Sequence, residues 1–275
     1  MTWNMLELGP EKVYVEQSGQ GQVLVCAHGL GGGAWFFGGL GKKLEAGFRT
    51  VSMDLPGTGR SWIPNSPFSL RRCADALIQI LLLEKAISPG KTICVLGHSM
   101  GSIIALQVFA ERPDLIDSLI FVGGLPRVTA TVYERLSGRA ERIRNQGMNG
   151  IGTQAAPPLF SKSFLAESPE AVAMFARLLE ANEPQSYIEG IHALISADAT
   201  ELVADVTCPS LFLSGTEDQY ATPENIRKFS ALVKGNTRMR LIEDCGHMPF
   251  LERPDSFAKE ISKFLDGAPI RDIPT

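Results

Sequence analysis

The sequence predicts an α/β protein: a mostly parallel sheet with helices on both faces and an inserted helical lid. Short, almost wholly apolar runs such as QVLVCAH at 22–28 alternate with amphipathic runs of helical period. This alternation is typical of buried parallel strands joined by crossover helices. It stops at Pro126 and resumes only near residue 207, and no buried strand is expected between those points.

The first part of the chain contains the edge of the sheet and its centre. Two strands joined at Gly9-Pro10 are expected to form an edge hairpin. Further strands are predicted at 22–28, 49–53, 92–96 and 116–124. Helices are predicted at 34–45, at 70–85 with Ser69 as the N-cap, and after Ser99 up to Pro113.

The second part contains the insertion and the end of the sheet. Helices are predicted at 129–147, 169–182 and 185–197, and 150–164 has the pattern of a loop. Strands at 208–215 and 237–243 then alternate with helices at 222–233 and 253–265. We therefore expect a core of residues 1–125 and 207–275, with 126–206 as a helical lid over the carboxyl ends of the strands.

Composition narrows the class of partner. The 275 residues are 44% hydrophobic and 20% charged, with a net charge of −4, which gives no reason to expect nucleic acid as a partner. No apolar run has membrane-spanning length, and no signal-peptide pattern begins the sequence. Five cysteines without a C-x-x-C pair are typical of free thiols in a reducing compartment. We expect a cytoplasmic protein without a membrane partner, and the sequence leaves a homodimer open.

The pentapeptide Gly97-His98-Ser99-Met100-Gly101 lies between a predicted strand and a predicted helix. A G-x-S-x-G sequence in this setting is typical of a nucleophile elbow. The turn raises the serine hydroxyl above the sheet edge, at a helix N-terminus that favours negative charge. Ser99 is therefore the predicted nucleophile.

A serine nucleophile needs a base, and the chain has four histidines. We expect the His98 side chain to point away from Ser99, His28 to orient the glycine-rich loop, and His192 to lie within the lid. His247 remains, in a loop between the last strand and the last helix. It is the predicted base.

The base needs a carboxylate that orients it. Glu217 and Asp218 both follow a predicted buried strand and precede His247, and we favour Asp218 over Glu217. Asp244 is too close in sequence to His247, and Asp54 is expected to shape the pocket. The chain order is then serine, acid, histidine.

Two backbone amides are predicted to stabilise an oxyanion. One is that of Met100, which follows the nucleophile, and the other is that of Leu30, in the turn that begins His28-Gly29. This glycine-rich turn lacks the G-x-G-x-x-G spacing and the lysine of a phosphate-binding loop. Nucleotide binding is not expected.

The whole chain resembles the α/β-hydrolase superfamily, in its lidded group of esterases, enol-lactonases and C–C hydrolases. The resemblance rests on AHGLGGGAW, MDLPGTGRS, LGHSMGS, LSGTEDQYATP and CGHMPFLERPDSF, which occur in family order. It implies an eight-stranded, mostly parallel sheet, a helical lid, a triad of Ser99, Asp218 and His247, and no metal or cofactor. Dehalogenases and lidded epoxide hydrolases of this superfamily have an aspartate at the position of Ser99. His98, Ser102 and Gly32 depart from the usual patterns of the C–C hydrolases.

The predicted activity is hydrolysis of a small carboxylic ester or lactone through an acyl-serine intermediate. The alternatives are C–C hydrolysis of a vinylogous 1,5-diketone and a non-catalytic small-molecule receptor. The residues expected to contact substrate are His28, Gly29, Trp35, Phe36, Trp62, Met148, Phe160 and Met248. The lid arginines are also candidates to bind a substrate carboxylate, although a solvated helix face is favoured for most of them: Arg127, Arg135, Arg139, Arg142 and Arg144.

Overall fold

A computed structural model describes residues 1–61 and 66–267, and it contains one eight-stranded sheet. The strands lie in the spatial order β1-β2-β4-β3-β5-β6-β7-β8. Their bounds are β1 Thr2–Leu8, β2 Glu11–Ser18, β3 Gln22–Ala27, β4 Phe48–Met53, β5 Ile93–His98, β6 Ser118–Val122, β7 Ser210–Gly215 and β8 Thr237–Ile242. Each predicted strand is present.

Strand direction divides the sheet into an edge hairpin and a parallel body. β1 and β2 pair antiparallel, with Leu8 opposite Glu11, and Gly9 takes the positive φ of 63° that the turn requires. β2 also runs antiparallel to β4, whereas all other neighbours are parallel. The parallel strands therefore end at one common edge, where crossover loops meet.

Helices cover both faces of the sheet. The evidence is that every residue of the central strands β5 and β7 is buried, although successive side chains point to opposite faces. Within the core, α1 packs on the last helix and α2 on α3. The Ser69 hydroxyl accepts the Arg72 amide at 3.2 Å, which confirms the predicted N-cap. Residues 34–45 form a 3₁₀ turn before α1 instead of one helix. The first three helices are α1 Gly38–Leu44, α2 Leu70–Ile87 and α3 Met100–Glu111.

Six helices lie between β6 and β7, and we call residues 126–206 the inserted segment. The loop predicted at 150–164 is wrong, because two short helices and a 3₁₀ turn occur there. These helices are too short for the sequence to show the 3.6-residue spacing of apolar residues that indicates a helix. They are stabilised by packing of α5 on α7 and by the Ser161 cap of α6. The bounds are α4 Ala130–Gln146, α5 Ile151–Ala155, α6 Lys162–Glu167, α7 Pro169–Glu180, α8 Pro184–Ser196 and α9 Thr200–Val203.

The two ends of the inserted segment lie side by side. The Ala199 amide donates to the Pro126 carbonyl at 2.9 Å, and Arg127 and Asp198 form an isolated antiparallel bridge. The division into a core and a lid stays a prediction.

After the inserted segment the chain returns to the sheet with β7 and β8, and the last element in the described residues is a helix. The helices that follow are α10 Pro223–Ser230, α11 Pro249–Glu252 and α12 Pro254–Leu265. None of the helices in the described ranges combines the length and apolar character needed to cross a bilayer.

Candidate active site

Ser99 lies at the turn between β5 and α3, at the edge where the parallel strands end. Its φ of 52° and ψ of −115° place a non-glycine residue in a rarely occupied region of backbone space. The Ser99 amide donates to the Val122 carbonyl at 2.9 Å, and the Ser99 carbonyl accepts the Ser102 amide at 2.9 Å. These bonds hold the strained backbone and leave the half-buried side chain directed into a cavity.

The two glycines of the pentapeptide allow this turn to pack closely. A Cβ on Gly97 would lie 2.4 Å from the carbonyl oxygen of Gly101. A Cβ on Gly101 would lie 2.2 Å from the carbonyl oxygen of Ala27, on the neighbouring strand. Any side chain at either position would push α3 away from the sheet.

His247 and Asp218 form a buried pair, of which His247 lines the same cavity as Ser99 and Asp218 lies behind it. His247 Nδ1 donates to Asp218 Oδ2 at 2.8 Å, and each residue is at most 4% exposed. Asp218 Oδ1 accepts the amides of Tyr220 and Ala221 at 2.8 and 2.9 Å. The carboxylate is therefore fixed by the β7–α10 loop, and it orients the imidazole with Nε2 available as a base. Among the described residues, no hydrogen bond joins the Ser99 hydroxyl to His247.

His98 takes part in the site through His247. Its ring lines the same cavity as Ser99, with its centroid 4.9 Å from that of His247. His98 Nε2 donates to the His247 carbonyl at 3.0 Å. Burial, and secondarily the His247 charge, lower the pKa of His98 well below its ordinary value, so the ring is neutral. The ring packs against Phe36 and Phe250, which fixes its direction.

Glu252 organises the loop that carries His247, and its only signal in the sequence is its place in FLERP. This buried carboxylate accepts the amides of Gly246 and Met248, which flank His247. It also accepts the Ser161 amide of the inserted segment at 2.8 Å. One side chain thus joins the His247 loop to the inserted helices.

Gly123 is a second residue that sequence reasoning missed. It follows β6 with φ of 52°, and a Cβ there would lie 3.0 Å from both Asp218 Oδ2 and His247 Nδ1. The glycine therefore packs directly against the hydrogen bond that joins the two residues. Its place after a buried strand at the catalytic edge was the available signal.

The two predicted oxyanion donors belong to residues near Ser99: Met100 follows Ser99 in the chain, and Leu30 follows Gly29, which packs against Ser99. The amides of Leu30 and Met100 have no protein acceptor among the described residues. Leu30 lines the cavity, whereas the Met100 side chain is buried and only its amide, at the start of α3, is relevant. Gly29, whose Cβ would lie 3.0 Å from Ser99 Cβ, lets the Leu30 turn approach.

The cavity above Ser99 is mainly apolar. The described polar residues of its lining are His98, Ser99, Arg127, Arg139, Tyr220 and His247, and none of them is a carboxylate. Among the described residues, its larger apolar side chains are Leu30, Phe36, Leu125, Val128, Val132, Leu136, Leu159, Phe175, Leu179, Leu194 and Met248. The wall comes from the core and from the inserted helices α4, α7 and α8.

Several residues expected to contact substrate do not line this cavity. His28 is fully buried: Nδ1 donates to the Gly29 carbonyl at 2.7 Å, and Nε2 accepts the Leu55 amide at 3.0 Å. It therefore supports the Leu30 turn from behind. Gly29 also lies outside the lining, and Trp35 lines a separate surface groove.

The remaining expected contacts divide in a similar way. Met148 and Phe160 are buried in the core of the inserted segment, where Phe160 stacks on Phe164. Met248 and Phe36 do line the cavity. Trp62 lies outside the described residues.

The other candidate carboxylates and His192 have different surroundings. Glu217 accepts the Lys162 amide at 3.1 Å, and Asp54 is buried against Arg60 and accepts the Ala34 amide at 2.7 Å. Burial acts to raise the pKa of Asp54, but the hydrogen bonds from Arg60 and Ala34 lower it overall. Asp244 and His192 are both exposed. Hydrogen bonding to His247 distinguishes Asp218 from these carboxylates.

Of the five arginines predicted as candidates to bind a substrate carboxylate, only Arg139 is buried. Arg142 and Arg144 are exposed, and exposed Arg127 pairs with Asp198 at 3.5 Å. Half-buried Arg135 lies over the Tyr220 ring, whereas Arg139 is 5% exposed and lines the cavity. The described residues contain no group of three or more His, Cys, Asp or Glu side chains placed to hold a metal ion.

Comparison with known proteins identifies the class. The alpha/beta hydrolase fold family matches residues 22–254. The chain is 27% identical over 246 residues to pimeloyl-[acyl-carrier protein] methyl ester esterase of Neisseria meningitidis serogroup A, covering 87% of this chain and 75% of that protein. It is 27% identical over 263 residues to (E)-2-((N-methylformamido)methylene)succinate hydrolase of Acinetobacter baylyi, covering 93% and 94%.

A solved structure agrees with the match to the alpha/beta hydrolase fold family. The enol-lactonase of Burkholderia xenovorans LB400 has the same fold with a TM-score of 0.83 at 22% identity, over 96% of this chain and 100% of that one. The chain has the eight-stranded, mostly parallel sheet of this fold and is a hydrolase. It belongs to the α/β-hydrolase fold family.

Proposed function

We propose that this hydrolase cleaves a small carboxylic ester or lactone through an acyl-Ser99 intermediate, with His247 as base and Asp218 as the carboxylate that orients it. The observation that carries the proposal is the 2.8 Å hydrogen bond from His247 Nδ1 to Asp218 Oδ2, because His247 lines the same cavity as Ser99. The names of similar proteins, a methyl ester esterase and an enol-lactonase, support ester and lactone chemistry.

The acylation step follows from these groups. His247 Nε2 takes the Ser99 hydroxyl proton while Oγ bonds to the substrate carbonyl carbon. The negative charge that forms on the carbonyl oxygen is stabilised by the Leu30 and Met100 amides. The tetrahedral intermediate then loses the alcohol, which receives the proton from His247. In a lactone this alcohol stays attached to the acyl group.

Deacylation repeats these roles with water. His247 removes a proton from water as the water oxygen bonds to the acyl carbon. It returns that proton to Ser99 Oγ as the bond between Oγ and the acyl carbon breaks. Asp218 keeps its hydrogen bond with His247 Nδ1 and stabilises the imidazolium that forms in each step. The products are a carboxylic acid and an alcohol, or one hydroxy acid from a lactone.

The inserted segment is proposed to act as a lid that limits substrate size. Its helices α4, α7 and α8 form much of the apolar wall. Hydrogen bonds also attach the inserted segment to the rest of the chain. In one of them the His247 amide donates to the Leu159 carbonyl at 2.7 Å. Short acyl groups are therefore expected to be preferred over long chains.

Two neighbouring carboxylates provide the test of the acid. Asp218→Asn is expected to lower kcat for 4-nitrophenyl butyrate by about 10⁴-fold, because the amide favours the wrong imidazole tautomer. Glu217→Gln is the matched control and is expected to stay within about threefold of wild type, since Glu217 bonds to Lys162 and not to His247. A severe loss in Glu217→Gln with a mild one in Asp218→Asn would reject the assignment.

A further inference from the structure

We propose that Arg139 binds a free carboxylate of the substrate, so that the preferred ester or lactone carries one carboxylate besides the group that is cleaved. This inference rests on the proposed function for the reaction at Ser99. It rests separately on the surroundings of Arg139, which are independent of that chemistry.

The first observation is a buried charge without an acidic partner. Arg139 lies on α4, is 5% exposed and lines the cavity above Ser99. In the part of the chain that the structure describes, no carboxylate lies within ion-pair distance of its guanidinium. A buried charge is costly unless it is paired, so such an arginine is typical of an anion-binding site.

The second observation is how the guanidinium is held. Its two terminal nitrogens donate to the hydroxyls of Tyr187 and Tyr220, each at 3.1 Å. Both partners are tyrosine hydroxyls and not carboxylates, so they orient the guanidinium without forming an ion pair with it. Arginine has five N–H donors in a planar fork, and two of them make these bonds. The remaining donors suit a carboxylate, which a guanidinium binds in a bidentate manner.

The third observation is a second cation on the same helix. Arg135 is one turn before Arg139, and its guanidinium lies 5.0 Å from the Tyr220 ring centroid. One of its terminal nitrogens is buried and has no hydrogen-bond partner among the described residues. The described residues that line the cavity include no carboxylate that could pair with Arg139.

Tyr220 fixes the distance between this end and the reacting groups. Its hydroxyl contacts Arg139, while its ring centroid lies 5.1 Å from that of His247. One tyrosine side chain thus separates the guanidinium from the candidate base. A substrate carboxylate on Arg139 would place a carbonyl a few methylene groups away near Ser99, as in a monoester of a short dicarboxylic acid.

The kinetic test compares two substrates that differ only at one end. Mono-4-nitrophenyl glutarate carries a carboxylate where 4-nitrophenyl pentanoate carries a methyl group. The ratio of kcat/KM for the glutarate to that for the pentanoate is expected to fall about 10- to 100-fold in Arg139→Met, mainly through KM. Arg139→Lys is expected to retain part of the ratio. Arg142→Met, on the exposed part of the same helix, is the control and is expected to keep it.

A binding measurement separates this inference from the proposed function. The Ser99→Ala variant is titrated calorimetrically with monomethyl glutarate and with methyl pentanoate, and it is expected to bind the glutarate more tightly. In the double variant Ser99→Ala, Arg139→Met this difference in affinity is expected to disappear. If wild type hydrolyses neither nitrophenyl ester but this difference appears, the carboxylate site stands and the proposed reaction fails. Equal binding of the two ligands, or an unchanged kinetic ratio in folded Arg139→Met and Arg139→Lys, would overturn the carboxylate site.

Discussion

His98 Nε2 donates a hydrogen bond to the backbone carbonyl of His247 at 3.0 Å, and the two rings pack with centroids 4.9 Å apart. His98, the residue before Ser99, therefore positions the loop that carries His247. The elbow and the His247 loop, far apart in sequence, are held together by this contact.

His98→Ala is expected to lower kcat by about 10- to 100-fold, because it removes both the donor and the ring that hold His247 in place. His98→Gln keeps an N–H donor near the position of Nε2 and is expected to recover most of the activity. Steady-state kinetics with 4-nitrophenyl butyrate, together with melting temperatures, provide the measurement. An unchanged kcat in folded His98→Ala would show that the contact does not position the base.

The neutral buried histidines make stability depend on pH. Burial lowers the pKa of His28 and of His98 below their ordinary value of 6.5. The unfolded chain thus binds more protons as the pH falls below about 6.5, and the free energy of unfolding decreases there, by up to about 1.4 kcal/mol per pH unit for each histidine. Urea unfolding at a series of pH values from 7.5 to 5 gives the free energy of unfolding at each pH. This free energy is expected to fall less steeply with decreasing pH in His98→Gln than in wild type. An equal pH dependence in the two proteins would contradict a contribution from His98.

Glu252→Gln is expected to slow catalysis without contacting substrate. Glutamine would turn an N–H group toward backbone amides that now donate to the carboxylate, so the loops of His247 and Ser161 must separate. We expect a loss of about 1–3 kcal/mol in the free energy of unfolding and a fall in kcat of about tenfold, with little change in KM. Exposed Glu243 on the same connection provides the control, Glu243→Gln. A lowered melting temperature with normal kcat would limit Glu252 to stability.

Gly123→Ala tests whether close packing maintains the Asp218–His247 pair. The alanine Cβ would lie 3.0 Å from both Asp218 Oδ2 and His247 Nδ1, at a φ that costs non-glycine residues about 1–2 kcal/mol. We expect a fall in kcat of about 10²-fold, measured with 4-nitrophenyl butyrate. Gly138→Ala, on α4 with nothing within 4 Å of the added Cβ, is expected to stabilise the protein by about 0.5–1 kcal/mol at unchanged kcat. Normal kcat in Gly123→Ala would contradict the packing requirement.

The central strands β3, β5, β6 and β7 were predictable because each is a nearly apolar run of the length that a buried strand needs. Ser99, Asp218 and His247 were predictable because each follows a predicted strand, in the order serine, acid, histidine. The helices between residues 150 and 167 were not predictable, because each is too short to show a period and depends on tertiary packing. The direction of the His98 ring depends on Phe36 and Phe250, which are distant in sequence. Likewise, five arginines look alike in the sequence, and only the folded chain buries Arg139.

The most direct test of the central claim is to trap the acyl group on Ser99. Wild-type protein mixed with excess 4-nitrophenyl butyrate, quenched at short times and analysed by intact mass and peptide mapping, is expected to gain one butyryl group on Ser99. Ser99→Ala is expected to gain none and to lose turnover while remaining folded. Hydrolysis by wild type with no butyryl group on Ser99 at any quench time, together with undiminished hydrolysis by Ser99→Ala, would contradict the acyl-serine account.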